Sequence, residues 1–353
     1  MEYDQLTPCR TERGQVSIYM LDFPTGWITR PVEGKLGSWM YPRAGFHMNS
    51  MYPKVIRLKA HSAEVFAYLS RADGAEPRPK CLLLHGNPGT LDDWRELVPL
   101  LEPTVDLTAI DLPGFGRSPR PGPDASSLGL DRLASVTVSV ADVLGWTEPF
   151  FVVGHSHGGG VALSAAAAYP GRVAGIVCLG SLGAPAHNSY RLLALPGMQH
   201  LARALGKVLG IDSLRPLLRL AFRQAMKDVF APQPVPAQRL EHELTRFSTR
   251  PELLSSMVQV TRGNPCQSLR LSAAHVRCPV LFVHGRKDAL VPVACPLTIH
   301  DAIAAAGGRS SFVVLEGAGH MLIEQQAAEV AGHITQFVLR RPNGDRVASK
   351  SLI

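Results

Sequence analysis

Long apolar runs are missing from this chain: none approaches the ~20 residues that a membrane-spanning helix needs. Stable membrane insertion is therefore not expected. The first residues, Met1-Glu2-Tyr3-Asp4-Gln5, carry neither a basic start nor an apolar stretch, so no secretory signal is read there. Cysteine is sparse, six in all, with no C-x-x-C pair. Cys81, Cys178 and Cys278 lie in or beside segments with strand character, where cysteine acts as a small hydrophobe. A reduced, cytoplasmic setting is the simplest reading. Charged residues make up only 18% of the chain. The net charge is +7, but no basic run is concentrated enough to suggest nucleic acid, and ordinary surface charge is the plainer reading. What is present is bulk: 353 residues, 46% hydrophobic, enough for a large core and one elaborated domain.

The most informative run is Gly154-His155-Ser156-His157-Gly158, a G-x-S-x-G pattern. Phe150-Phe151-Val152-Val153 before it reads as a short buried strand, and the Gly- and Ala-rich residues after it suit a helix packed tightly on a sheet. A serine hydroxyl is a weak nucleophile until it is held clear of its backbone beside a base. A strand-to-helix elbow does this by straining the serine, so Ser156 is expected at positive φ. Crowding around such an elbow favours Gly154 and Gly158. The first helical N–H, on His157, then points at the carbonyl under attack. Five-residue matches also arise by chance in Gly-rich turns, so the remaining parts decide.

A base and a residue to orient it must follow in the order Ser, Asp, His. Pro279 to Gly285 reads as a buried strand followed by Asp288, and Ser311 to Leu315 as another followed by His320. Both candidates thus fall just beyond a strand's carboxyl end, where open α/β sheets bind ligands. His320 would take the Ser156 proton, and Asp288 would hold the imidazole tautomer. Cys81 to Leu84 forms a strand that ends in His85-Gly86-Asn87-Pro88-Gly89, and the Asn87 N–H can serve as the second oxyanion donor. Leu107 to Ile110 is a further strand, running into the turn Asp111-Leu112-Pro113-Gly114-Phe115-Gly116.

Taken together, these residues resemble the α/β-hydrolase family over roughly residues 53 to 340. The resemblance implies an α/β fold with a mostly parallel central sheet, flanking helices and a helical cap inserted after the sixth core strand. His85-Gly86-Asn87-Pro88 and Asp111 to Gly116 look most like the epoxide-hydrolase and haloalkane-dehalogenase branch. That branch carries aspartate at the nucleophile position, where this chain has Ser156, so its chemistry is not carried over. In the resembling branch Pro88 follows a cis bond, and Asn87 could present its side chain as well as its N–H. In some relatives the acid follows the sixth strand; Gly180-Ser181-Leu182-Gly183-Ala184 holds no carboxylate, which favours Asp288. The position of Asp111 is structural in the family.

Four parts follow: an extension over 1–50, where Val16, Ile18 and Met20 alternate like a strand; a core over 51–181 and 276–341; a helical cap over 182–275; and a polar tail over 342–353. A hairpin pairs Val55–Lys59 with Val65–Leu69, turning at His61-Ser62-Ala63-Glu64, and a last helix runs from about Glu324 to Arg340. In the cap, apolar residues recur at helical spacing: Met198, Leu201, Leu205, Val208 and Leu209; then Leu214 to Val229; then Leu240, Leu244 and Phe247; then Leu253 to Val258. Prolines break the run into short helices. Those faces are expected to bury against the core or to line a pocket that favours an apolar substrate portion. Tyr190 to Lys207 could form a basic amphipathic surface helix, with membrane binding the minor reading.

His155 and His157 flank the serine, but they point different ways and no Cys/His/carboxylate cluster completes a site, so no metal is expected. His85 is read as a loop-holding hydrogen-bonder and His284 as structural. The expected function is a serine hydrolase of a carboxylic ester or related acyl compound, needing no cofactor, with a small-molecule substrate and no nucleic-acid partner. Two alternatives stand. A C–C hydrolase of ring-fission products ranks lower, because Met321 follows His320 where those relatives have Trp, and the first loop is Asn87-Pro88-Gly89. A slow ligand receptor with the same fold is the other.

Overall fold

The computed structural model describes residues 19–20, 54–60, 63–70, 77–121, 128–262 and 264–340. Among these residues nine strands form one sheet: β1 Tyr19–Met20, β2 Lys54–Ala60, β3 Ala63–Ser70, β4 Lys80–Leu84, β5 Asp106–Ile110, β6 Phe150–His155, β7 Val173–Leu179, β8 Val280–Gly285 and β9 Ser310–Leu315. Their order is β1-β2-β3-β5-β4-β6-β7-β8-β9. β1 to β3 are antiparallel, as is the β3–β5 pair, and every pairing from β5 to β9 is parallel. The hairpin of β2 and β3 pairs Val55 with Tyr68 and Lys59 with Glu64. Of its expected turn, His61 and Ser62 lie outside the described residues, as do Val16, Ile18 and the tail over 342–353. Tyr19–Met20 pairs with β2 at the sheet edge.

The parallel strands read as continuous apolar runs because both faces are covered. Leu82, Leu84, Val152, Ile176 and Phe282 face one core layer, and Leu83, Val153, Val177, Leu281 and Val283 face the other. Among the described residues twelve α-helices accompany the sheet: α1 Val98–Leu101, α2 Leu130–Val143, α3 His157–Ala168, α4 Asn188–Leu193, α5 Met198–Leu209, α6 Arg215–Phe230, α7 Ala237–Thr249, α8 Glu252–Gln259, α9 Pro265–Ser272, α10 Ala294–Ala305, α11 Leu322–Gln325 and α12 Ala327–Leu339. α4 to α9 all lie between β7 and β8. Leu269 of α9 reaches the first core layer beside Val161 of α3. No helix among the described residues is long and apolar enough to cross a membrane.

Two expectations need correction. The last helix is two, because the chain breaks at Gln326 (φ −136°, ψ 46°). There the preceding Gln325 accepts from Gly319 N–H (2.8 Å) and donates to the Phe230 carbonyl (2.8 Å). The apolar faces between 198 and 229 are also not all turned inward: Leu201, Leu205 and Leu217 are exposed.

Candidate active site

Every candidate side chain stands at the carboxyl end of a parallel strand. β6 ends at His155 and α3 starts at His157, which leaves Ser156 alone in the bend at φ 51°, ψ −116°. Such a conformation costs a non-glycine residue about 1–3 kcal/mol. Backbone hydrogen bonds hold it: Ser156 N–H donates to Leu179 O (2.8 Å), and its carbonyl accepts from Gly159 N–H (3.0 Å) and Leu182 N–H (3.2 Å). The flanking glycines have steric causes. A Cβ on Gly154 would sit 2.2 Å from Gly158 O, and one on Gly158 would sit 2.1 Å from Leu84 O. β4, β6 and α3 therefore meet backbone to backbone.

His320 Nδ1–H donates to Asp288 Oδ2 at 2.8 Å. Asp288 Oδ1 accepts from Leu290 N–H (2.9 Å) and Val291 N–H (2.7 Å), so the loop after β8 fixes the carboxylate. With Nδ1 as donor, Nε2 is left as the ring's acceptor. His155 ties His320 to the elbow: its Nε2–H donates to the His320 carbonyl (2.9 Å), and the two rings are 5.0 Å apart. Ser156, Asp288 and His320 are thus gathered at one sheet edge, all three buried.

Asn87 lies in the loop after β4, the neighbour of β6. The Asn87–Pro88 bond is cis. The Asn87 side chain is not free to face a substrate with its amine, because Nδ2 donates to Met257 O of α8 (3.1 Å). Its Oδ1 has no partner among the described residues. The His157 N–H is the first of α3, one of the donors that a helix start leaves without an intrahelical acceptor.

Residues 82–327 match the family model described as alpha/beta hydrolase fold. The chain belongs to the α/β-hydrolase fold family. Among curated relatives it is 30% identical over 273 residues to the dihydrolipoyllysine-residue acetyltransferase component of the acetoin cleaving system of Pseudomonas putida, covering 75% of this chain but only 65% of that one. It is 29% identical over 267 residues to 2-hydroxymuconate semialdehyde hydrolase of Pseudomonas sp. (strain CF600), covering 73% and 86%. Pimeloyl-[acyl-carrier protein] methyl ester esterase of Neisseria meningitidis matches at 28% over 277 residues, covering 76% and 80%. Epoxide hydrolase A of Mycobacterium thermoresistibile superposes with a TM-score of 0.62 at 20% identity, covering 81% and 98%, which speaks for the fold alone.

Within this α/β hydrolase the charges around the site are sharply sorted. Burial opposes ionisation of Asp288, but the charge of His320 and hydrogen bonds from His284 and His320 outweigh it and hold the carboxyl well below the usual range. His284 is part of that balance: Nε2–H donates to Val291 O (2.8 Å) and lies 3.3 Å from Asp288 Oδ2. Burial, helped by the charge of His320, pushes His155 down to about 4. Burial pushes His157 down to about 3 and His85 to about 4. His85 holds loops: Nδ1–H donates to Gly86 O (2.7 Å), and Nε2 accepts from Leu112 N–H (2.9 Å). Asp111 accepts from Leu91 N–H (2.8 Å) and Arg117 N–H (2.7 Å), while burial raises its pKa to about 6.

Sequence reasoning missed two groups. The Tyr190 hydroxyl is hydrogen-bonded to His157 Nδ1 at 3.0 Å, and the His187 ring lies tilted against Tyr190 with centroids 4.7 Å apart. His187 is buried with neither ring nitrogen partnered among the described residues, and burial, then the charge of His320, pushes it down to about 4. No motif marks these two residues; only the fold brings α4 to the elbow. The second group is a buried ionic cluster on α7. Arg246 donates to Pro88 O (2.5 Å) and Gly89 O (3.4 Å) and pairs with Glu243. Arg239 donates to Asp93 Oδ1 (2.5 Å), whose Oδ2 accepts from Thr90 N–H (3.0 Å). A signal existed here: Arg239, Glu243 and Arg246 recur at i, i+4 and i+7, the apolar spacing of Leu240, Leu244 and Phe247 beside them.

Proposed function

We propose that this α/β hydrolase is a serine hydrolase of carboxylic esters or related acyl compounds. The observation that carries the reading is Ser156 strained at φ 51°, at the same sheet edge as a His320–Asp288 pair at 2.8 Å that His155 ties to the elbow. His320 Nε2 accepts the Ser156 proton as Oγ attacks the carbonyl carbon. The N–H groups of His157 and Asn87 take the charge that gathers on the carbonyl oxygen. His320 then gives its proton to the leaving alcohol, and the same imidazole activates the water that frees the acid. Asp288 stays ionised throughout and fixes the tautomer.

α4 to α8 act as a cap in this reading. It is supported by Tyr190 of α4 against His157, Arg246 of α7 on the Pro88 and Gly89 carbonyls, and Met257 of α8 on Asn87. The cap and core loops enclose an apolar part of a small substrate. A reducing compartment such as the cytoplasm belongs to the same reading, since Cys81, Cys178, Cys266, Cys278 and Cys295 are all free and buried. A chain-length series of nitrophenyl esters tests the function. Rates should rise by roughly fourfold per methylene, from ~0.8 kcal/mol of burial each, and fall once the pocket is full. A protein that hydrolyses no member of the series contradicts it.

A second reading is C–C bond hydrolysis of a ring-fission product, favoured by the likeness to 2-hydroxymuconate semialdehyde hydrolase across 86% of that protein. Met321 and the Asn87-Pro88-Gly89 loop speak against it. Loss of the yellow colour of a dienolate substrate, faster than ester cleavage, would promote it.

A further inference from the structure

Of the eleven large apolar side chains that are exposed among the described residues, seven fall between Leu192 and Leu220. That stretch covers α4, α5 and the start of α6. In α6 only Phe230 is buried out of sixteen residues. Leu218, Phe222, Met226 and Val229 lean on the body, with Phe222 edge-on to Phe247 of α7 at 5.3 Å. Leu217 and Leu220 stand on the far side, 66% and 67% exposed. α5 repeats the arrangement. Gln199, Ala202, Gly206 and Leu209 are buried, while Leu201 and Leu205, about one turn apart, are each 47% exposed. Arg203 and Lys207, also about one turn apart, form a basic stripe on the same helix.

The charge is as uneven as the leucines. Residues 188–228 hold seven Lys and Arg against two Asp, whereas the whole chain is only +7. Arg215 and Arg219 pair with Glu241 of α7 at 3.3 and 2.9 Å. Arg191, Arg203, Lys207, Arg223 and Lys227 make no ion pair among the described residues.

We infer that α4, α5 and α6 form a docking surface for an anionic lipid bilayer. Exposed leucines need an apolar layer, and the cations that share their face of α6, Arg223 and Lys227 at i+3 and i+7 from Leu220, need anions at the level of their own tips. A bilayer with anionic headgroups supplies both, and long basic side chains reach the phosphates while their stems cover apolar surface. A second copy of the chain fits poorly, because a two-fold contact would set this basic surface against itself. The attachment is peripheral, since no described helix can span the membrane.

Co-sedimentation of the full chain with sucrose-loaded vesicles tests this without any need for turnover. The protein should pellet with phosphatidylcholine vesicles that contain phosphatidylglycerol, and salt near ~0.5 M should release it by screening. Phosphatidylcholine alone should bind it at least about tenfold more weakly. Leu217→Ser with Leu220→Ser should weaken partition about tenfold or more. The melting temperature should stay close to that of the parent, which shows that the fold is intact. Arg223→Gln with Lys227→Gln should remove the preference for the anionic lipid. Protein that stays in the supernatant, or leucine variants that pellet like the parent, would overturn the inference. So would a dimer in sedimentation velocity that dissociates on the leucine substitutions, which would assign the surface to a second copy. Failure on vesicles combined with salt-sensitive capture by an acidic polypeptide such as poly-glutamate would overturn it in favour of an acidic protein.

Discussion

α3 and α6 are both regular helices of this chain, yet ten of the twelve residues of α3 are buried and only one of the sixteen in α6 is. α3 is pinned by contacts that leave no room for a methyl group: a Cβ on Gly158 would sit 2.1 Å from the Leu84 carbonyl oxygen, and the helix begins from a strained serine. α6 is held mainly by one side on α7, with Leu217 and Leu220 in the open. The contrast separates two kinds of constraint. Around α3 almost every residue is fixed by its neighbours. Along α6 the outer residues answer to something outside the chain. α7 lies between these extremes, exposed on one side but fastened by buried Arg246 to the loop after β4 and by buried Arg239 to Asp93.

The comparison breaks most visibly at the α3 end. Ser156→Ala or His320→Ala should lower kcat by ~10⁴- to 10⁶-fold, with the double variant little worse than either, because the residues act as one unit. Steady-state rates on a nitrophenyl ester check this, and retention of more than a few per cent of activity in Ser156→Ala would remove the serine from its role. Arg246→Ala comes next. It leaves Glu243 buried without its nearest cation and frees the Pro88 and Gly89 carbonyls, at a cost of about 3–5 kcal/mol in urea unfolding. The exposed Arg223→Ala of α6 should stay within about 0.5 kcal/mol of the parent. Gly158→Ala should then cost about 1–3 kcal/mol or more from overpacking against Leu84.

Acid sensitivity gives a graded effect. His85, His155 and His187 are pushed down to about 4 and His157 to about 3, all by burial. Unfolding restores a value near ~6.5. Between these limits the unfolded chain binds more protons than the folded one, so stability must rise with pH. It is complete above pH ~6.5 and falls as pH drops toward about 4, by roughly 1.4 kcal/mol per pH unit for each such histidine. Urea midpoints across that window check the slope, and His187→Phe should flatten it by one histidine's share. The smallest effect belongs to α6: Leu217→Ser with Leu220→Ser should move the unfolding free energy by no more than about 0.5 kcal/mol per site.

What could be read from the sequence follows the same division. The elbow was legible because steric demands are local: Gly154, Ser156 and Gly158 sit within five residues, and a short apolar strand precedes them. Asp288 and His320 were legible because each follows an apolar strand by a fixed few residues. The helices from 198 to 258 showed in their spacing, but period alone does not name the neighbour. Leu201 and Leu217 therefore read as inward residues and turn out to be exposed. His187 and Tyr190 were invisible as site residues, since the contacts that matter cross more than thirty positions of chain. The break between α11 and α12 depends on Gln325 reaching Phe230, again a long-range contact.

The proposed role of Ser156 as an activated nucleophile is tested most directly by intact-mass spectrometry after treatment with a fluorophosphonate. The account predicts one adduct per chain, mapped by peptide digestion to Ser156, absent in Ser156→Ala and formed at least ~10³-fold more slowly in His320→Ala. No adduct on the folded protein, or an adduct that persists in Ser156→Ala, would contradict it.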